Sequence, residues 1–315
     1  MARGELYAQT TNPGASWSLA SSFETTSDHF WNSKWSLQRY NYHSDLSYPF
    51  LSEGDKGAGF IYEGAYQVGK TSLKNFRLAY LKVGRVQKVS PFWKLEYGLG
   101  ISQLHESGTS LNQVAVPFWL LTEQLFGKNE AIWTQLKFSS GFTLDSMAWS
   151  ANNDVFFRAD QAALNASWRF SDRWRWNLRS YAARLSDANV KTSLYSALLY
   201  GFETSSPWVW LGWNIDIEHF TENATSYWSP NVMKGTGPIF EGNWELNEMW
   251  SLNTELHLNL QKEDSYDWAT GFVTALGIQK GKRDKAHLNL NYLFIRSNQK
   301  SGYWQSHLVN VVYTF

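Results

Sequence analysis

Between Trp93 and Ser102 the chain alternates strictly. Trp93, Leu95, Tyr97, Leu99 and Ile101 are interleaved with Lys94, Glu96, Gly98, Gly100 and Ser102. Successive side chains of a strand point to opposite faces, so this run predicts a strand with one apolar and one polar face. The same pattern returns from Val209 to Glu218, where Leu211, Trp213, Ile215 and Ile217 alternate with Gly212, Asn214, Asp216 and Glu218. It returns again from Leu252 to Gln261, with Leu256, Leu258 and Leu260 set against Asn253, Glu255, His257 and Asn259. At the carboxyl end Phe315, Tyr313, Val311 and Val309 share one face, and Thr314, Asn310 and Ser306 the other. No helical period competes over a comparable length.

Turn clusters divide these runs into segments of about ten residues. Counting back from Phe315, strands are expected near 304–315, 286–296, 268–280, 251–262, 236–246, 208–221, 193–204, 173–185 and 162–171. The remainder fall near 131–144, 112–125, 92–104, 74–86, 58–68, 31–42 and 15–25. Sixteen is an even number, as bacterial single-chain membrane barrels require, and a closing strand that ends on an aromatic residue fits such a barrel. The fold class expected is therefore all-β: a transmembrane, antiparallel, up-and-down β-barrel of about sixteen strands, closed by the strand ending at Phe315. If that strand runs down into the periplasm, short turns belong after every even strand. Ser171-Asp172, Asn247-Glu248-Met249 and Gly281-Lys282-Arg283-Asp284 obey this, and the long links Asp145–Gln161 and Glu222–Gly235 fall on the other side. His43 to Gly57 breaks the rule, being long where a short turn is expected.

Composition changes the meaning of the apolar face. Aromatic residues make up 17% of the 315 residues, with 18 Trp, 16 Tyr and 19 Phe, yet mean hydropathy is −0.41. No run approaches the ~18 apolar residues of a spanning helix. A polar lumen between two aromatic girdles gives this combination; a soluble all-β protein with a Trp-rich carbohydrate-binding face is the rival. There is no cysteine, hence neither disulfide framework nor thiolate metal site. A net charge of +0 gives no electrostatic case for nucleic acid or for an acidic membrane surface. Met1-Ala2-Arg3-Gly4 carries no export leader, so the expectation is a mature form or an excised domain in the bacterial outer membrane. Residues 1–14, with the Asn12-Pro13-Gly14 turn, read as a linker or an extra strand, and 15–315 as a single barrel.

The polar face yields a charge map of the lumen. Lys137, Arg169, Arg173, Arg175 and Arg179 form a basic sector, and Asp216, Glu218, Glu241, Glu245 and Glu255 an acidic one. These charges either solvate the interior and offset one another or, as opposite walls, orient a hydrophilic solute. Trp119, Trp133, Tyr181 and Tyr195 fall on the inward set, where aromatic faces can stack on sugar rings. Small inward residues near 268–280 (Ala269, Gly271, Ala275, Gly277) are expected to leave room, and Gly98–Gly100 to make a smooth wall.

Catalytic constellations are wanting. Ser306 and His307 point oppositely and cannot form a dyad; His219 is expected at the outer interface. Glu255 and His257 share a face and read as a lumen-facing polar pair, with an acid–base pair as the alternative. There is no Gly-x-Ser-x-Gly, phosphate-cradling loop or His-x-x-x-His spacing. The reading expects no enzyme, cofactor or metal.

The loop containing Tyr227-Trp228-Ser229-Pro230, the strand Gly237 to Leu246, the tight Asn247-Glu248-Met249-Trp250 turn and the further strands to a terminal Phe form a recognisable group. Over about the last ninety residues this resembles the C-terminal barrels of exopolysaccharide exporters, of the cellulose and poly-N-acetylglucosamine type, in which a tetratricopeptide domain precedes the pore. No tetratricopeptide period is present in this chain. The resemblance implies a pore that passes a growing polysaccharide, with a periplasmic tetratricopeptide scaffold and an inner-membrane synthase as partners. The alternatives are a general or oligosaccharide-selective porin, for which Asp145–Gln161 with Phe156, Phe157 and Arg158 is the candidate constriction loop, and a barrel hydrolase or adhesin.

Overall fold

A computed structural model describes residues 16–26, 31–40, 58–70, 75–90, 92–107, 112–127, 131–142, 158–203, 206–224, 229–281, 287–299 and 302–315. Residues 1–14, the His43–Gly57 link, most of the candidate constriction loop, and Tyr227 and Trp228 of the tetrad lie outside them. The strands are β1 (Ser16–Thr26), β2 (Trp31–Tyr40), β3 (Ala58–Lys70), β4 (Asn75–Ser90), β5 (Trp93–Ser107) and β6 (Asn112–Ala115). Next come β7 (Phe118–Phe126), β8 (Ile132–Phe142), β9 (Arg158–Arg169), β10 (Trp174–Leu185), β11 (Val190–Glu203) and β12 (Trp208–Phe220). The last are β13 (Val232–Asn247), β14 (Trp250–Glu263), β15 (Ala269–Lys280), β16 (His287–Gln299) and β17 (Gly302–Thr314). No described residue is helical.

Each strand pairs antiparallel with its chain neighbour, and β1 pairs with β17, from Ser18 opposite Thr314 to Thr26 opposite Ser306. The result is a closed ring of sixteen strands, with β6 outside the count. β6 pairs with β5 alone and continues the line of β7: Ala115 faces Ser102, and Phe118 faces Leu99 on the same register. Pro117 makes the gap, because it has no N–H for the ladder, although its carbonyl still accepts Gly100 N at 2.8 Å. The expected segment 112–125 is thus one ring strand with a proline in it. Closure satisfies every edge, which a strand surrounded by lipid needs.

Burial separates the two faces. On β5 Trp93, Tyr97, Leu99, Ile101, Gln103 and His105 are exposed, Leu99 at 60%, whereas Ser102, Leu104 and Glu106 are buried. Contacts between strands that are not neighbours mark the concave side. Asn214 of β12 donates to Asn259 of β14 at 3.0 Å, and Ser297 of β16 to Gln261 of β14 at 2.6 Å. The side chains of the polar set therefore meet inside, and the exposed leucines and aromatics form the outer wall. At the end carrying the C-terminus a row of aromatic rings crosses β9, β10 and β11: Trp168, Phe170, Trp174, Tyr200 and Phe202 lie 5.1–6.4 Å apart in succession. Such a belt suits a membrane–water interface.

Candidate permeation path

Both charged sectors reach the inner face, but not as opposite walls. In the ring, the basic strands β8–β10 and the acidic strands β12–β14 are separated by β11 alone. Arg175 spans that gap and pairs directly with Glu241, while its guanidinium lies 4.7 Å from the centroid of Trp210. Trp210 is 1% exposed, and Arg169 lies over the same ring at 5.6 Å. Glu218 pairs with Lys191 of β11 at 2.8 Å, a cation absent from the sequence map. Period-two geometry assigns the faces, and in an up-and-down ring the strands follow chain order, so sectors one strand apart in the chain lie side by side and not on opposite walls.

Deeper along the same wall, His257 Nε2 lies 2.5 Å from Glu255 Oε1. The imidazole stacks on Tyr195 at 6.2 Å, and Arg179 sits 5.2 Å from the Tyr195 ring. The Asp216 carboxylate rests on bare backbone: a Cβ at Gly235 would come within 2.2 Å of Oδ1. Tyr181 packs against the apolar cluster of Ala159, Ala183, Leu185 and Phe220 at the end away from the termini. Trp133 faces inward opposite Leu125, with its indole N–H buried. Lys137 is exposed to the lumen, and Glu245 stands exposed at the end of β13.

Arg173 departs from its expected place. It lies in the turn before β10, fully exposed, and donates to Tyr200 Oη at 3.1 Å. Tyr200 belongs to the outer aromatic row, so Arg173 stands at the outer rim and not in the lumen. The turn frees its backbone from the alternation of the strand, and the Tyr200 hydrogen bond raises its pKa above its ordinary value.

A second inner cluster lies on β2–β8. Trp119 lies flat on the glycines of two neighbouring strands: a Cβ at Gly84 would meet Cζ2 at 2.5 Å, and one at Gly98 would meet Cη2 at 2.2 Å. Gly98 is therefore the seat of an indole, not merely a smooth wall. Trp119 Nε1 donates to Glu96 at 3.0 Å. Beside it Lys94 pairs with Glu123, which accepts from Gln135 at 3.0 Å, and Gln135 accepts from Asn165. Tyr80 donates to Glu63 at 2.5 Å, and Lys82 lies over its ring at 4.2 Å. A cavity of about 390 Å³ opens here, bounded among others by Glu63, Tyr80, Lys82, Glu96, Trp119 and Lys137. Of these the sequence map holds Trp119 and Lys137. Glu96 is on the polar side of its strand and is recoverable by parity alone.

The small residues of β15 leave less room than expected. Gln261 covers Gly271 and Asn291 covers Gly277, with side-chain atoms 2.6 and 2.9 Å from an added Cβ. Ser306 and His307 do part: Ser306 donates inward to Glu24 at 3.1 Å, and His307 Nδ1 meets Tyr292 Oη at 2.8 Å outside. No group of metal-ligating side chains occurs among the described residues.

An exposed apolar wall around a charged interior, closed without an edge, is the fold of the outer-membrane β-barrels. Among solved structures, the chain is similar to a bacterial polysaccharide outer membrane secretin, with TM-score 0.74 and 12% identity, over 96% of this chain and 98% of that one. It is also similar to CdiB from Acinetobacter baumannii, with TM-score 0.54 and 6% identity, over 95% of this chain and 60% of that one. For CdiB from Escherichia coli the TM-score is 0.50 at 10% identity, over 96% of this chain and 63% of that one. The chain thus spans less than two thirds of either CdiB chain. At these identities the likeness is one of fold. No protein-family model and no curated protein matches the sequence.

Proposed function

We propose that this barrel is an outer-membrane pore for a hydrophilic saccharide chain, exported through its lumen, and that it is not an enzyme. Sixteen strands make a ring wide enough for an aqueous channel. The observation that carries the saccharide reading is the Trp119 platform. One face of the indole rests on the glycines of β4 and β5, its edge is anchored by Glu96, and it borders a cavity with carboxylates and ammonium groups at hand. Apolar sugar faces stack on such rings while hydroxyls bond to the charged groups around them. Likeness of fold to a polysaccharide secretin supports the same reading, as does the resemblance of the last ninety residues to exopolysaccharide exporters. On that reading a periplasmic tetratricopeptide scaffold and an inner-membrane synthase are the partners.

The test is single-channel recording of refolded protein in planar bilayers, with neutral glucans or N-acetylglucosamine oligomers added. Saccharides should interrupt the current, and Trp119→Ala should shorten each block several-fold while leaving the unblocked conductance nearly unchanged. Ion current that sugars never interrupt would favour a general porin instead. Absence of any current would remove the open-pore reading.

A further inference from the structure

The outer surface carries a feature that permeation does not use. At the end away from the termini, outward-facing basic residues stand near the strand ends: Lys70 closes β3, Arg77 is near the start of β4, Arg158 opens β9, Arg184 is near the end of β10, and Lys234 and Lys262 lie near the distal ends of β13 and β14. Lys234 and Lys262 are direct cross-strand partners. Like charges placed opposite one another destabilise a sheet unless something neutralises them. None of the six forms an ion pair with a described residue. On the outer face of the described strand ends the one carboxylate is Asp160, opposite Arg184, while Asp187, Glu222, Asp264 and Asp267 lie in the turns beyond. Cations on the outer face at the other end are treated differently: Arg39 lies over Trp17 at 5.1 Å and Lys280 over Trp250 at 5.2 Å.

The spacing of the two rims supplies a second argument. On β14 roughly twelve residues separate Trp250, the outward aromatic residue that opens the strand, from Lys262. At ~3.3 Å per residue and a tilt near 40°, that is a height of about 30 Å, the thickness of a hydrocarbon core. Between them the outer face carries Leu252, Leu256, Leu258 and Leu260 with one threonine, Thr254, and Leu258 and Leu260 are half exposed. The basic residues therefore sit where headgroups begin.

We infer that this rim is a binding surface for the phosphate groups of membrane lipids, a cationic collar that meets the phosphorylated sugars of lipid A in the outer leaflet. Paired cations such as Lys234 and Lys262 can share one phosphate, and long basic side chains reach headgroup level from strand ends. The collar would hold the barrel at a set depth and orientation. It depends on the barrel spanning the membrane, not on what the lumen passes.

The experiment is native mass spectrometry of the detergent-folded barrel titrated with bis-phosphorylated lipid A, with the same lipid dephosphorylated, and with inorganic phosphate as competitor. Bis-phosphorylated lipid should bind preferentially, and Lys234→Gln with Lys262→Gln should weaken it about 25-fold at low salt, near five-fold per charge. Lys280→Gln, at the opposite rim, should leave binding unchanged, and heat-modifiable migration on gels confirms that every variant is folded. Equal binding of the two lipids, or unaltered binding by the double variant, overturns the inference. Displacement by millimolar inorganic phosphate also overturns it, since the surface would then be a site for free anions.

Discussion

Leu252, Leu256 and Leu260 stand on the outer face of β14 between Trp250 and Lys262, and replacing each in turn with arginine probes the membrane placement by depth. At about 2.5 Å of height per residue, Leu256 lies some 15 Å from either rim, while Leu252 and Leu260 lie about 5 Å from theirs. An arginine at the midplane of a barrel costs about 2–4 kcal/mol, falling to about 0–1 near an interface. Leu256→Arg should therefore be the worst of the three by about 2 kcal/mol, a thirty-fold change in the folding equilibrium. Asn259→Arg gives the inward comparison. It takes the acceptor from the fully buried Asn214 amide, a cost of about 1–3 kcal/mol, while its new charge meets the lumen. Urea-dependent folding into phosphatidylcholine vesicles, followed by tryptophan fluorescence, measures all four. A flat profile along the leucines would refute the placement of lipid on this face.

Other consequences follow from the inner wall. Gly98→Leu should evict Trp119 from its seat, since even a Cβ meets the indole and the Val83 carbonyl; saccharide block in bilayer recordings should then fall to the level of Trp119→Ala. Glu255→Gln with His257→Ala removes the half-buried pair but no catalyst, so conductance or selectivity should change and no hydrolysis of ester or glycosidic probes should be lost. A hydrolytic activity that disappears in that variant would bring the barrel-hydrolase reading forward.

The fold was legible because period two is a local property. Every expected strand occurs, and the boundaries differ by a few residues at most, as between 236–246 and Val232–Asn247. Faces were legible where the lumen side is polar, as in β5, β12 and β14. They were not on β4, whose inward set of Phe76, Leu78, Tyr80, Lys82 and Val86 is as apolar as its outward set of Arg77, Ala79, Leu81, Val83 and Arg85. Lys82 and the Tyr80 contacts escaped notice for that reason, whereas Glu63, on β3, is recoverable by parity. Pairings such as Arg175 with Glu241 depend on curvature across intervening strands, which no alternation encodes. Arg173 shows the converse limit: parity fails at a turn, where a side chain follows its hydrogen-bond partner.

The interlocking of the charged sectors alters what selectivity measurements should show. Had the basic and acidic residues faced each other across the lumen, neutralising either set would shift reversal potential independently, as charged rings do. Arg175 and Glu241 instead share an ion pair over Trp210. Glu241→Gln exposes the Arg175 charge to the path and should favour anions; Arg175→Gln exposes Glu241 and should favour cations. Together the two substitutions should nearly restore the original reversal potential, because the pair contributes little net field to a passing ion. Lowering salt from 0.1 to 0.01 M lengthens the Debye length from ~10 to ~30 Å and should enlarge both single-variant shifts while leaving the double variant close to the parent. The cycle also reports on stability, since a buried ion left without its partner is costly, whereas removing both is tolerated better. Selectivity shifts that simply add in the double variant, each as large as before, would mean that the two charges act on the permeating ion separately, and the pair seen in the wall would not persist in the open channel.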